Sequence, residues 1–467
     1  MTGMNNNLWY ATIGYGMTAP KLDYLTCAQN ARLERLRIAR LLRQGHHRRV
    51  FLEEGRTQFN FPEMEIQGRT LQPYITLNIL KLISTTLADL LLGQEAILTI
   101  GNPLGQEAIN DLRKRCDLHP IFYGSARTAS WAAEAMVEVL RWQGEVWVKE
   151  VKPDEVFPLG QRLPDGQYAA YRRYAVAEVV QGNVKQKLLL ETTYEPGRIT
   201  RVCYKLNGSA KTDAVDLTLW PVKMPDGSPL PPAESTGIDC NTIVWMGNEI
   251  EDDEVTCDDD GLIELQDELN AEQTQIARVI AKHADPRLAV PETKADESGN
   301  LLASHDLWFY RSKDEIPAYI TWNAELAAAA LADRDFTLDG LCVASELTKG
   351  LMGLDRGAAP DSAKRLRLQA TKTLARVARK ATFVRPFIRT VMDVAMDLMQ
   401  VSMRVQVALT VDPEDTTKDL GVEVELRDGL PIDDYDQAQT IALLTGGKAS
   451  MSVERAVGLQ IPDPVAA

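Results

Sequence analysis

Two neighbouring stretches of opposite charge constrain this chain most. Residues 249–272 hold twelve acids and no Lys or Arg, whereas residues 349–380 hold nine Lys/Arg and two Asp. The rest of the 467-residue chain is acidic, with a formal net charge of −15 for the whole. Charges at this density need water, each other or a second molecule, because an uncompensated buried charge is costly.

The acidic stretch reads as a helix over 258–283. Asp258, Asp259 and Asp260 suit the positive end of a helix as capping residues. Leu262, Leu265, Leu269, Ile276 and Val279 give it one apolar face, and Glu264, Asp267, Glu268 and Glu272 fill much of the remainder. It stops before Pro286 after about 36 Å. The same acids could be imagined as a two-metal nuclease site, but consecutive aspartates at a helix start are the simpler reading.

The basic stretch starts with a glycine-rich loop, where Gly350, Gly353 and Gly357 free the backbone and Lys349 and Arg356 place charge at the tip. A long helix from 361 to about 403 follows, with Pro386 expected to kink it. Leu366, Ala370, Leu374, Val377 and Ala381 share one face at 100° per residue. Arg365, Lys372, Arg376 and Arg379 share the opposite face, with Lys364 beside them. Those bases face solvent, nucleic-acid phosphates or the acidic surface of another subunit.

Around this pair the pattern is α+β. Helices are expected over 24–48, 74–92 (ending near Gly93) and 127–142; His46 and His47 read as a solvated helix end. From 145 to 250 come strands: "EVWVKEV", "YAAYRRYAV", "KQKLLLETTYE", "RITRVCYKL" and "NTIVWMG", with "VKMPDGSPLPPAESTG" as an exposed loop. Residues 285–322 form a small β insert between two helices, the second starting at Asn323. Strands over "RVQVALTV" and "LGVEVELRDGLPIDD" and two short helices finish the chain.

Several functions find no support. A negative chain is not a general DNA-coating protein. The six cysteines are scattered, with no pair at zinc spacing. "LLTGGKAS" comes near a phosphate loop, but Ala442 replaces its first glycine and Ala449 its hydroxyl residue. "LNILKLISTTLADLLLG" is interrupted by Lys81 and Asp89, so a buried helix is expected, not a membrane span. No signal segment is recognisable, and a cytosolic, non-enzymatic protein without cofactor or metal is expected.

The order of elements resembles the portal proteins of tailed bacteriophages. The likeness rests on "LNILKLISTTLADLLLGQEAILTI", "ASWAAEAMVEVLRWQGEVWVKEVKPDEVFPLG", "DDDGLIELQDELNAEQTQIARVIAKHADPRLAV", "GAAPDSAKRLRLQATKTLARVARK" and "LPIDDYDQAQTIALLTGGKASMSVERAVG". It implies an α+β portal-type subunit with a wing (1–257, helical then β-rich), a two-helix stem (258–284 and 323–345), a small α/β clip (285–322) and a tunnel loop (346–362). A long kinked helix with wing strands (363–432) and a short helical crown (433–467) complete it.

The resemblance further implies a dodecameric ring at the capsid vertex of the virion, assembled in the host cytoplasm, through which double-stranded DNA is packaged and ejected. Its implied partners are the terminase large subunit, the major capsid and scaffolding proteins and a head-completion or adaptor protein; no membrane is involved. Trp308, Tyr310, Lys313, Asp314 and Glu315 would lie in the docking clip, and Lys349 and Arg356 nearest the DNA. Another phage head–tail adaptor is the alternative. An acidic channel fits such a role, because each neutralised phosphate adds binding through counterion release and a uniformly basic bore would hold DNA fast.

Overall fold

The computed structural model describes residues 22–59, 64–66, 69–71, 74–181, 184–251, 254–284, 288–291, 307–310, 324–354, 367–401, 421–427 and 429. In chain order, helix α1 (Cys27–Arg43) is followed by a π-helical turn (Arg49–Glu53), strands β1 (Met64–Ile66) and β2 (Arg69–Leu71), helix α2 (Ile79–Leu92) and strand β3 (Ile97–Thr99). Helices α3 (Pro103–Cys116) and α4 (Leu118–Ala132) lead into β4 (Glu134–Trp142), β5 (Glu145–Val151), β6 (Val156–Arg162), β7 (Tyr168–Gln181) and β8 (Val184–Glu195). Then come β9 (Arg198–Asn207), β10 (Ala210–Val215), β11 (Ala233–Ser235), β12 (Ile243–Gly247), β13 (Glu249–Glu251) and β14 (Glu254–Thr256). Helix α5 (Ile263–Ala284), strands β15 (Leu288–Pro291) and β16 (Leu307–Tyr310), helices α6 (Ala324–Ala344) and α7 (Thr371–Val401), and β17 (Glu423–Glu425) complete the set.

The chain divides into two compact units. One comprises Met1–Ala39, Leu82–Asp258 and Glu346–Ala467; the other comprises Arg40–Lys81 and Asp259–Ser345. The first is built on an antiparallel sheet in the order β10-β9-β8-β7-β6, with β11 also on β9, and a smaller sheet β12-β4-β5. Met136, Val151, Val156, Tyr171, Tyr194, Ile243 and Trp245 form one of its cores. Buried charge there finds partners: Arg173 bridges Glu138 and Glu155 at 2.9 Å each, and Trp245 donates its indole N–H to Glu134 at 2.7 Å.

One expectation fails here. Residues 134–142 are the strand β4 and not the end of a helix; the helix stops at Ala132. β4 lies between β12 and β5, and Ala135, Met136 and Val137 are all fully buried. Pairing on both edges outweighs the helix preference of Glu, Ala, Met and Leu in this segment. The turn to β5 fits a tight hairpin, since Gln143 and Gly144 both have positive φ (55° and 79°).

In the second unit α5 and α6 pack together, and β15 pairs with β16 in parallel, Ala289 opposite Trp308 and Pro291 opposite Tyr310. α7 belongs to the first unit and runs unbroken through Pro386. Its inner face carries Val377 and Ala381, both buried.

Candidate functional site

The inner side of α7 resolves much of the charge pattern. Asp258, the last residue of the first unit before the chain departs, is buried. Its carboxylate accepts from Arg376 and from Lys380, each at 2.8 Å. Asn248 donates to it at 3.1 Å and the Ser130 hydroxyl to its other oxygen. Lys380 also donates to the Asn248 side-chain oxygen. Arg376 and Lys380 are one helical turn apart, so both reach a single carboxylate. Burial alone would push the Asp258 carboxyl up; Lys380 and Arg376, with hydrogen bonds from Lys380 and Ser130, outweigh it and hold the group below the usual carboxylate range.

The chain returns to this unit at Glu346, and α7 holds that point too. Arg379 donates to both Glu346 carboxylate oxygens at 2.8 and 2.7 Å, and Thr373 donates to the Glu346 carbonyl at 3.0 Å. Glu346 adopts φ 54°, a conformation a non-glycine residue rarely holds without such support. The two grips differ in strength. The Asp258 pairs are dry, whereas Arg379 and Glu346 are about half exposed (53% and 40%), so their pairing adds under about 1 kcal/mol.

In the second unit α5 carries a polar stripe at every fourth residue: Gln266, Asn270 and Thr274, all fully buried. They read the backbone of the segment leading into α2. Gln266 accepts from the N–H of Ile79 at 3.0 Å and of Leu80 at 3.3 Å and donates to the Leu77 carbonyl at 2.6 Å. Asn270 accepts from Leu77 N–H, and Thr274 from Ile75 N–H. Helix α2 thereby gets its first free N–H groups satisfied by a distant side chain.

Asn270 also donates to the Tyr74 hydroxyl and to Nδ1 of His47. Nε2 of His47 lies 2.8 Å from the Leu42 carbonyl, so the ring is neutral with its proton on Nε2. His47 is therefore buried, against the expectation of a solvated helix end. Burial lowers its pKa, with the Leu42 and Asn78 hydrogen bonds opposing.

The sequence-selected residues are scattered by the fold. Arg376 departs from the expected outward face: it is 7% exposed and engaged with Asp258. Lys372 and Arg379 do lie on the exposed side of α7. Asp258 is an internal counter-ion and not a helix cap, since α5 begins at Ile263. Among the acids of α5, Glu264 is exposed and Glu268 half-buried. Asp267 is instead buried and accepts from Thr57 and Tyr74 at 2.7 and 2.9 Å, and Glu272 accepts from Thr337 at 2.9 Å.

Lys349 sits half-buried in a turn closed by Leu354 N–H on its carbonyl at 2.9 Å. Trp308 and Tyr310 lie on β16. Arg356, Lys364, Arg365, Leu366, Lys313, Asp314 and Glu315, like the whole 433–467 segment, fall outside the described residues. Among the described residues no three His, Cys, Asp or Glu side chains group as a metal site, and no helix is long and apolar enough to cross a membrane.

Asp267 gives a prediction. Burial pushes its carboxyl up, against the pull of Thr57 and Tyr74. A raised folded-state pKa means that ionisation costs the native state stability as pH climbs from the unfolded value, near ~3.9, through the folded one. Asp267→Asn keeps an acceptor oxygen for one of the two hydroxyls and removes the titrating group. Its urea midpoint is expected to gain on wild type between pH 4 and pH 7; a widening deficit over that range would contradict the assignment.

No protein-family model and no curated protein matches the chain. Solved structures do. A chain of the native gene transfer agent virion is similar at 12% identity and TM-score 0.37, over 82% of this chain and 88% of that one. A chain from the neck of an empty gene transfer agent particle is similar at 13% identity and TM-score 0.36, over 81% of this chain and 88% of that one. At such TM-scores neither likeness carries a functional argument.

Proposed function

We propose that the chain is the subunit of a portal-type ring, a structural conduit at a virion capsid vertex through which a DNA duplex is packaged and ejected. It works without catalytic residues or cofactor and offers the strand pair between α5 and α6 as the docking site for a packaging motor and, later, for head-completion proteins. What supports the reading is the succession of α5, a short strand pair, α6, a glycine turn and a long basic helix, in the order of the sequence resemblance.

The observation that carries it is the double grip of α7. The excursion from Asp259 to Ser345 leaves and returns at Asp258 and Glu346, and both points are tied to one helix. A conduit wall beside a moving polymer needs such a fixed base. Glu264 and Glu268 supply the repelling charge, and Lys349 with Arg356 the passing phosphate contacts. Arg376 and Asp267 have no part in those contacts, being engaged inside their own units.

Electron microscopy of the purified full chain tests the proposal. Axially symmetric rings with a central hole wide enough for a duplex are expected. Compact monomers at high protein concentration would overturn it.

A further inference from the structure

We propose that the face of α6 turned away from α5 docks on the outer face of α7 in a second copy of this chain. α6 is apolar on both sides. Thr337, Leu341 and Cys342 are buried, with Thr337 donating to Glu272 of α5. On the opposite side, at 100° per residue, lie Ala329, Ala332, Phe336 and Val343, all exposed. Phe336 is 76% and Val343 73% exposed. Surface helices keep a polar face toward water, and an apolar stripe of coiled-coil spacing on the free side marks a contact surface.

Charge selects the occupant. Asp333, Asp335 and Asp339 border the stripe. Between Thr371 and Met392 α7 contains no acid, and its exposed side presents Lys372, Arg379, Arg385 and Arg389. The residues between those cations are small: Ala375, Ala378 and Thr382, all exposed. They form a shallow groove of the kind that accepts a ridge led by Phe336. Glu346 engages Arg379 and Asp393 approaches Arg389, while Lys372 and Arg385 have no ion-pair partner among the described residues. The lengths agree as well, about 21 Å from Ala329 to Val343 and about 26 Å from Lys372 to Arg389 at 1.5 Å per residue.

The two patches differ, so the contact is heterologous: each copy offers one face of each kind, and successive copies add head to tail until they close. Closure into a ring rests on the portal reading above; the pairing of the two faces does not.

The test uses two double variants of the full chain, Phe336→Asp/Val343→Asp and Lys372→Glu/Arg385→Glu, followed by sedimentation velocity. All four side chains are exposed, so circular dichroism and thermal melting are expected to match wild type. Wild type is expected to form assemblies larger than dimers, and each variant alone to remain monomeric. An equimolar mixture should yield dimers and nothing larger, because one intact α6 face meets one intact α7 face. Adding Asp333→Lys/Asp339→Lys to the α7 variant is expected to restore assembly.

Rings formed by Phe336→Asp/Val343→Asp would overturn the interface and leave the portal reading standing. The same holds if wild type forms rings while the mixture gives no dimer. Wild-type monomers at every concentration would overturn both.

Discussion

Asp258→Ala is expected to destabilise the first unit by about 3–5 kcal/mol, the cost of leaving a buried charge without its partner. Against a total stability of roughly 5–15 kcal/mol for a domain, this is a large fraction of the whole. The cause lies less in the lost attraction than in what remains: Arg376 and Lys380 are 7% and 4% exposed, and two cations would face each other in a dry site. Asp258→Asn keeps the shape and loses the charge, so an intermediate loss is expected.

The decisive comparison is Asp258→Ala combined with Arg376→Leu and Lys380→Met. If stranded charge is the cause, the triple variant recovers much of the lost stability in urea unfolding. If the triple variant is as unstable as the single one, the cause is packing. The pH dependence has a fixed sign. The folded-state pKa of Asp258 is depressed, so its stabilisation is fully present above the unfolded value near ~3.9 and fades as pH falls through the folded one.

The second large effect is expected from Asn270→Leu in α5. One side chain there serves Leu77 N–H, the Tyr74 hydroxyl, Nδ1 of His47 and the Gln266 amide. Leucine fits the volume, orphans the Leu77 N–H and Nδ1 of His47, and takes one hydrogen bond each from Tyr74 and Gln266, which keep Asp267 and the Leu77 carbonyl. At about 1–3 kcal/mol for a buried polar group left unpaired, a loss of roughly 3–5 kcal/mol is expected after relaxation. Hydrogen exchange should locate it, with faster exchange in residues 75–80 than in the sheet of the first unit. Unchanged protection at Leu77 would show that the ladder does not hold that segment.

His47 adds a pH arm. Its pKa is lowered by burial, so wild type loses stability as pH falls below the unfolded histidine value near ~6.5, where the unfolded chain takes up a proton that the native ring excludes.

These two sites show what a single sequence conveys. The strands β5, β7, β8, β9 and β12 and the helices α1, α2, α5, α6 and α7 stand close to where periodicity and turn residues place them. Local patterns are enough when one face is apolar and the ends carry turn chemistry. β4 escaped because its first half is buried on both faces, which removes alternation there, and because its second partner, β12, lies far along the chain from it.

The basic face of α7 was legible as a face. That Arg376 turns inward was not, since the reason is Asp258, 118 residues upstream. The Arg376/Lys380 spacing hinted that two cations could share one anion. Likewise Gln266, Asn270 and Thr274, uncharged polar residues four apart beside buried leucines, were a readable signal of a hydrogen-bonding stripe. Their partners lie nearly 200 residues away, beyond the reach of any local pattern.

The two holds on α7 sit within two turns of a single rod and fail in a set order: the half-wet Arg379–Glu346 rivet is expected to loosen first, as a fuse does, while the dry one at Asp258 keeps its grip.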